Sequence, residues 1–77
     1  MDKNQLTFGQ RACGVSFNPD GNVAVAATKD QFAALVDSLH AGREAATDPE
    51  VKRMFSIAVT EVQTAQMWAV KAITWNL

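Results

Sequence analysis

Between Pro49 and Trp75 the sequence predicts a long helix that is apolar on almost every face. Val51, Phe55, Ala58, Val62, Ala65, Ala69 and Ala72 form one continuous stripe, and its alanines suit the close approach of another helix. Met54, Ile57 and Trp68 fall on a second face, and Val59, Met67, Val70 and Ile73 on a third. A helix that is apolar nearly all round is a buried helix, and one neighbouring helix covers only about a third of it. The expectation is a homo-oligomer with the C-terminal halves of these helices near its centre. A monomer whose N-terminal arm wraps the remaining faces is the alternative.

The start of this helix is marked by Thr47-Asp48-Pro49-Glu50. Proline disfavours helix for the residue before it and suits the first turn of a new one. Asp48 can cap the free amides, and Glu50 complements the positive first turn. Ahead of the break, Val25, Phe32, Leu35, Val36 and Leu39 recur at helical spacing and predict a first helix over 22–46. Lys29, Asp30, Asp37 and His40 should form its solvated face. Gly42 either ends this helix or is carried inside it at about 1 kcal/mol relative to alanine. The short connector then folds the two helices antiparallel.

Residues 1–21 are different in kind. Gly9, Gly14, Pro19 and Gly21 fall here, and Asn18-Pro19-Asp20-Gly21-Asn22 is a turn sequence. Leu6, Phe8, Val15 and Phe17 are too scattered to specify a helix, so an irregular arm lying across a neighbour is expected, with room for one short turn or strand. The fold class is all-α, an antiparallel helical hairpin with an irregular N-terminal arm, assembled as a homo-oligomer. It forms one domain over 1–77, with the arm at 1–21, the first helix at 22–46 and the second at 49–75.

Composition narrows the function. The formal net charge of -1 argues against a DNA binder, which would carry a basic stripe. It leaves room for a small ligand with two or three phosphates. No apolar run approaches the roughly 18 residues of a membrane span, and MDKNQLTFGQ lacks the apolar core of a signal peptide. A reducing cytoplasm is therefore expected, with the single cysteine, Cys13, as a buried free thiol. His40 has no nucleophile at a matching spacing, and the glycines follow neither GxGxxG nor a Walker pattern. Glu44, Asp48 and Glu50 flank a helix start, which explains them better than metal binding does. No catalytic, metal or cofactor site is expected, and the chain does not read as an enzyme.

Thr60, Glu61, Gln63, Thr64, Gln66 and Lys71 interrupt the second helix. If neighbours bury the faces around them, these groups need hydrogen-bond partners. Either they pair between subunits and fix register, or they line pockets between protomers. The residues alone favour the first reading.

The stretch from Arg53 to Ile73 resembles the C-terminal helix of a phage family of small helical-hairpin sponges that oppose the CBASS and Thoeris defence systems. Arg53, Ile57, Ala58, Thr60, Glu61, Gln63, Met67, Val70, Lys71 and Ala72 follow the family's order. Arg11-Ala12-Cys13-Gly14-Val15 resembles its Arg-x-x-Gly-Tyr segment, with Val15 in place of the stacking tyrosine and Phe17 two residues on as a substitute ring. Val59 stands where the family has a basic residue, and Lys29 is similar in position to its ligand-binding lysine.

The resemblance implies a phage protein that works in the host bacterial cytoplasm. It would bind a cyclic di- or trinucleotide, or a cyclic ADP-ribose isomer, without cleaving it. Compact oligomers, commonly hexamers, with pockets at protomer boundaries are implied as well. Such a ligand needs cations for its phosphates, a ring for stacking and donors for its base edges. This chain offers Arg11, Lys29, Arg53 and Lys71 as cations, Phe17 as the ring, and Thr60 and Gln63 for the edges. The rival reading is a small phage helical oligomer that serves as a protein-interaction or structural module.

Overall fold

Thr7 opens the first element with a reciprocal cap. Its Oγ1 accepts from the Gln10 amide (3.0 Å), and Gln10 Oε1 accepts from the Thr7 amide (2.9 Å). The helix so started, α1, spans Phe8–Ala12. It stops at Gly14, whose φ of 61° lets Val15 donate to the Gln10 carbonyl (3.1 Å) and Gly14 to that of Arg11 (3.2 Å). The computed structural model describes residues 5–77, so the first four residues of the expected arm lie outside the described residues. In the rest of the arm the short turn left open is a five-residue helix, and the arm packs on its own chain.

The docking is close because Gly9 has no side chain. A Cβ there would overlap the Ala33 carbonyl oxygen, and the Gly9 amide donates to Asp37 Oδ1 at 2.7 Å. Asn18 then bonds both backbone groups of Asn22, whose own Oδ1 accepts from the Val25 amide (3.0 Å) and caps α2, Val23–Ala45. Gly42 lies inside α2, where its missing side chain admits the Phe55 ring. An added Cβ would come within 2.7 Å of Phe55 Cε1. Asp48 Oδ1 accepts from the Glu50 amide (2.9 Å) and caps α3, Pro49–Ile73, which returns along α2.

α1 and α3 both pack against α2, and the Cα atoms span 44 × 26 × 13 Å. α1 and α3 also meet, where Gln63 reaches the Ala12 carbonyl, so the three helices share one small core. Cys13, Ala33, Val36 and Val59 form the core, with Ala12, Val15, Phe32, Leu39 and Val62 partly buried against it. Among the described residues only Val36 is less than 2% exposed.

Two expectations about faces are corrected. α3 turns Val59 and Gln66 inward, whereas Ala65 and Ala72 of the expected contact stripe are exposed. The Phe55 ring seated over Gly42 and the reach of Gln63 to the Ala12 carbonyl hold α3 at that rotation. On α2 the face expected to be solvated is covered by α1 and the turn that follows it. Of its members only Asp30 is exposed, while Lys29 is buried, Asp37 is half-buried and His40 stacks on Phe8 with ring centroids 4.2 Å apart.

Candidate functional site

Arg11 and Gln63 meet across an open cleft of about 570 Å³, which Leu6, Phe8, Gln10 and Ser16 also line. α1 carries Arg11 on its exposed side, one residue before its end. Gln63 comes from α3, and its Nε2 donates to the Ala12 carbonyl at 3.2 Å. Gly14 and Ser16 connect this cleft to the turn that bears Phe17, whose ring is 72% exposed. Lys29 is only 6% exposed beneath that turn. Its Nζ donates to the Gly14 carbonyl (3.0 Å) and to that of Phe17, and it lies 5.6 Å from the Phe17 ring centroid.

The other three expected residues lie on α3. Arg53, Thr60 and Lys71 are exposed, and their separations of seven and eleven residues are near-whole helical turns, so they share one face. Arg53 Nε donates to both carboxylate oxygens of Glu50 at 3.1 Å, which holds the Glu50 carboxyl below the usual carboxylate range and raises the guanidinium. Thr60 Oγ1 donates back to the Ser56 carbonyl (3.2 Å), and Lys71 Nζ sits 5.3 Å from the Trp68 ring centroid. At 1.5 Å per residue, Arg53 and Lys71 are about 27 Å apart along the axis. No small ligand touches both on one chain.

The chain thus gathers Arg11 and Gln63 at one cleft and places Phe17 in the turn beside it, above Lys29 of α2. Arg53, Thr60 and Lys71 face away. Reading the residues also passed over Arg43, whose Nη2 donates to His40 Nδ1 (2.8 Å) and Nη1 to Ser56 Oγ (3.2 Å). With its guanidinium 5.3 Å from the Phe8 ring centroid, Arg43 links all three helices. No motif announces such a cluster. Gln10 was passed over too, although Thr7-Phe8-Gly9-Gln10 has the capping-box spacing.

Cys13 is buried, and desolvation with the nearby Asp37 charge raises its thiol above the usual range, against a smaller opposing effect of Lys29. A proton held more tightly by the folded state stabilises it below the unfolded thiol pKa, and that contribution is lost as pH rises towards the folded value. Thermal stability should therefore fall above about pH 9, and Cys13→Ala should flatten that fall. An alkaline profile that is the same in both proteins would contradict the buried neutral thiol.

Among the described residues, no three metal-ligating side chains gather in one place, and no helix is long and apolar enough to cross a membrane. A family model described as Acb2/Tad1, hairpin domain, matches residues 14–74. Neither curated proteins nor solved structures gave a significant match. The matched region opens at Gly14 and takes in the Lys29-bound turn, α2 and α3.

Proposed function

The chain belongs to the Acb2/Tad1 hairpin family, the anti-CBASS and anti-Thoeris sponges, and from that premise we propose that it sequesters a cyclic immune messenger without cleaving it. The family sequesters immune signalling molecules and is a binding family. The messenger is a cyclic di- or trinucleotide, or a cyclic ADP-ribose isomer, held in the host bacterial cytoplasm so that antiphage defence is not triggered. Stoichiometric capture asks for affinity, not turnover.

The observation that carries this reading is the family match over 14–74, which includes most of the expected ligand residues. The geometry supports a site shared between protomers. Arg11 supplies a guanidinium for phosphate or base, Phe17 an exposed ring, and Gln63 an amide at the same cleft. Arg53, Thr60 and Lys71 look outward from α3, where only a second copy can bring them to a ligand held by the first chain's arm. The protomer needs such copies for its own stability, because Met54, Ile57, Met67, Trp68 and Trp75 are 45–72% exposed. A homo-oligomer, the hexamer typical of the family's resemblance, answers both needs.

Calorimetric titration of the purified protein with cyclic di-AMP, cyclic GMP-AMP, cyclic tri-AMP and cyclic ADP-ribose isomers tests the reading. At least one should bind tightly. Arg11→Ala should weaken it by about 10- to 100-fold, the worth of one charge-assisted hydrogen bond, without changing the sedimentation coefficient. Binding no tighter than millimolar across the whole panel would leave the protein-interaction reading in its place.

A further inference from the structure

We propose that the outer side of α3 is a seam, which pairs in one register with the α3 of a second copy running the opposite way. The inference rests on the assembly named in the reading above and makes no use of the messenger. Starting at Glu50, the exposed residues Met54, Ile57, Glu61, Thr64, Trp68 and Lys71 follow at alternating steps of four and three. That is the a/d repeat of two-helix packing. The seam lies on the side of α3 opposite Val59 and Gln66, which the helix turns inward, so its own hairpin leaves it open. Met54, Ile57 and Trp68 remain 45–65% exposed there.

The charges on the seam choose its direction. A parallel pair would set Glu50, Glu61 and Lys71 each against its own copy, three like-charge layers in one interface. An antiparallel pair sets a against d positions, and Ile57 then meets the second copy's Trp68. In that register the methylene stem of the second copy's Lys71 covers Met54 and keeps its ammonium at the rim. At the middle, Glu61 faces the second copy's Thr64. That hydroxyl, which on one protomer donates to the Thr60 carbonyl (3.1 Å), can turn to donate to the carboxylate. No layer then opposes like charges. A slide of seven residues one way puts Ile57 against Glu61, and the other way leaves Met54 with nothing opposite. Only the middle register pairs the apolar groups.

Oxidative cross-linking and sedimentation of the full chain test the pairing. A chain carrying both Met54→Cys and Lys71→Cys should form a covalent dimer on mild oxidation, because the two positions share a layer. Either substitution alone should give none, since antiparallel pairing holds identical positions about 25 Å apart along the axis at 1.5 Å per residue. Parallel pairing would reverse both results. Cys13, 3% exposed, stays out of reach in every variant. Thr64, exposed and outside the cleft, supplies a second arm. Thr64→Glu should raise the dissociation concentration about tenfold by opposing the second copy's Glu61, whereas Thr64→Lys should lower it. Cross-links in either single-cysteine chain, none in the double one, or assembly weakened alike by Thr64→Glu and Thr64→Lys would overturn the pairing while leaving sequestration standing. A nucleotide panel that fails to bind removes sequestration and leaves these outcomes as they are.

Discussion

Gly9→Val should undock α1 and lower the thermal midpoint by on the order of 10–20 °C. The backbone of α1 approaches α2 so closely that even one added carbon at Gly9 would overlap the Ala33 carbonyl oxygen and crowd Asp37 Cγ at 2.9 Å. The obstacle is main chain, so no rotamer change relieves it. Backing α1 away breaks the Gly9 bond to Asp37, unstacks Phe8 from His40 and lifts Cys13 out of the core. Together these amount to a few kcal/mol in a domain whose total stability is of order 5 kcal/mol. Thermal melts at one fixed protomer concentration measure it, since assembly makes the midpoint concentration-dependent. A midpoint within 2 °C or so of wild type would mean that α1 does not dock as described.

The second large effect concerns assembly. Wild-type protein should sediment well above the 8.3 kDa of one chain, and Trp68→Asp should sediment as single chains or lose its helical structure. Trp68 is 65% exposed on a protomer, yet it lies on the apolar side of α3 with Met54 and Ile57. A second copy that covers this face would bury the aspartate without a partner, at a cost of several kcal/mol. Wild-type protein that sediments as a single chain would remove the oligomer, and with it the site shared between copies.

Much of the fold was legible because its determinants are local. The Pro49 break with Asp48 before it, and the helical recurrence of Val25, Phe32, Val36 and Leu39, depend on neighbours in sequence. α1 was missed for the opposite reason. Five residues show no periodicity, and the signal was confined to the Thr7–Gln10 cap and the Gly14 stop. That omission propagated. Without α1, the face of α2 bearing Lys29, Asp37 and His40 has nothing to cover it and reads as solvated, although the arm buries Lys29 and takes up Asp37. The rotation of α3 was hidden in a single long-range fit, the Phe55 ring over Gly42, which no stripe of alanines reveals.

For the site, residue chemistry and the family resemblance named the groups but not their surroundings. Arg11 and Gln63 do share a cleft, and Phe17 presents an exposed ring. Lys29 and Gln63 also serve the fold by holding carbonyls of the arm, a role that depends on contacts 15 and 51 residues apart in sequence.

The central claim is capture without conversion. Purified protein saturated with each cyclic nucleotide of the panel, washed free of excess and then heat-denatured should release the bound messenger, read by mass spectrometry. Recovery of the intact cyclic molecule at a fixed ratio to protomer is the result expected of a sponge. Recovery of a linearised or hydrolysed product, or of no bound nucleotide from any member of the panel, would contradict it.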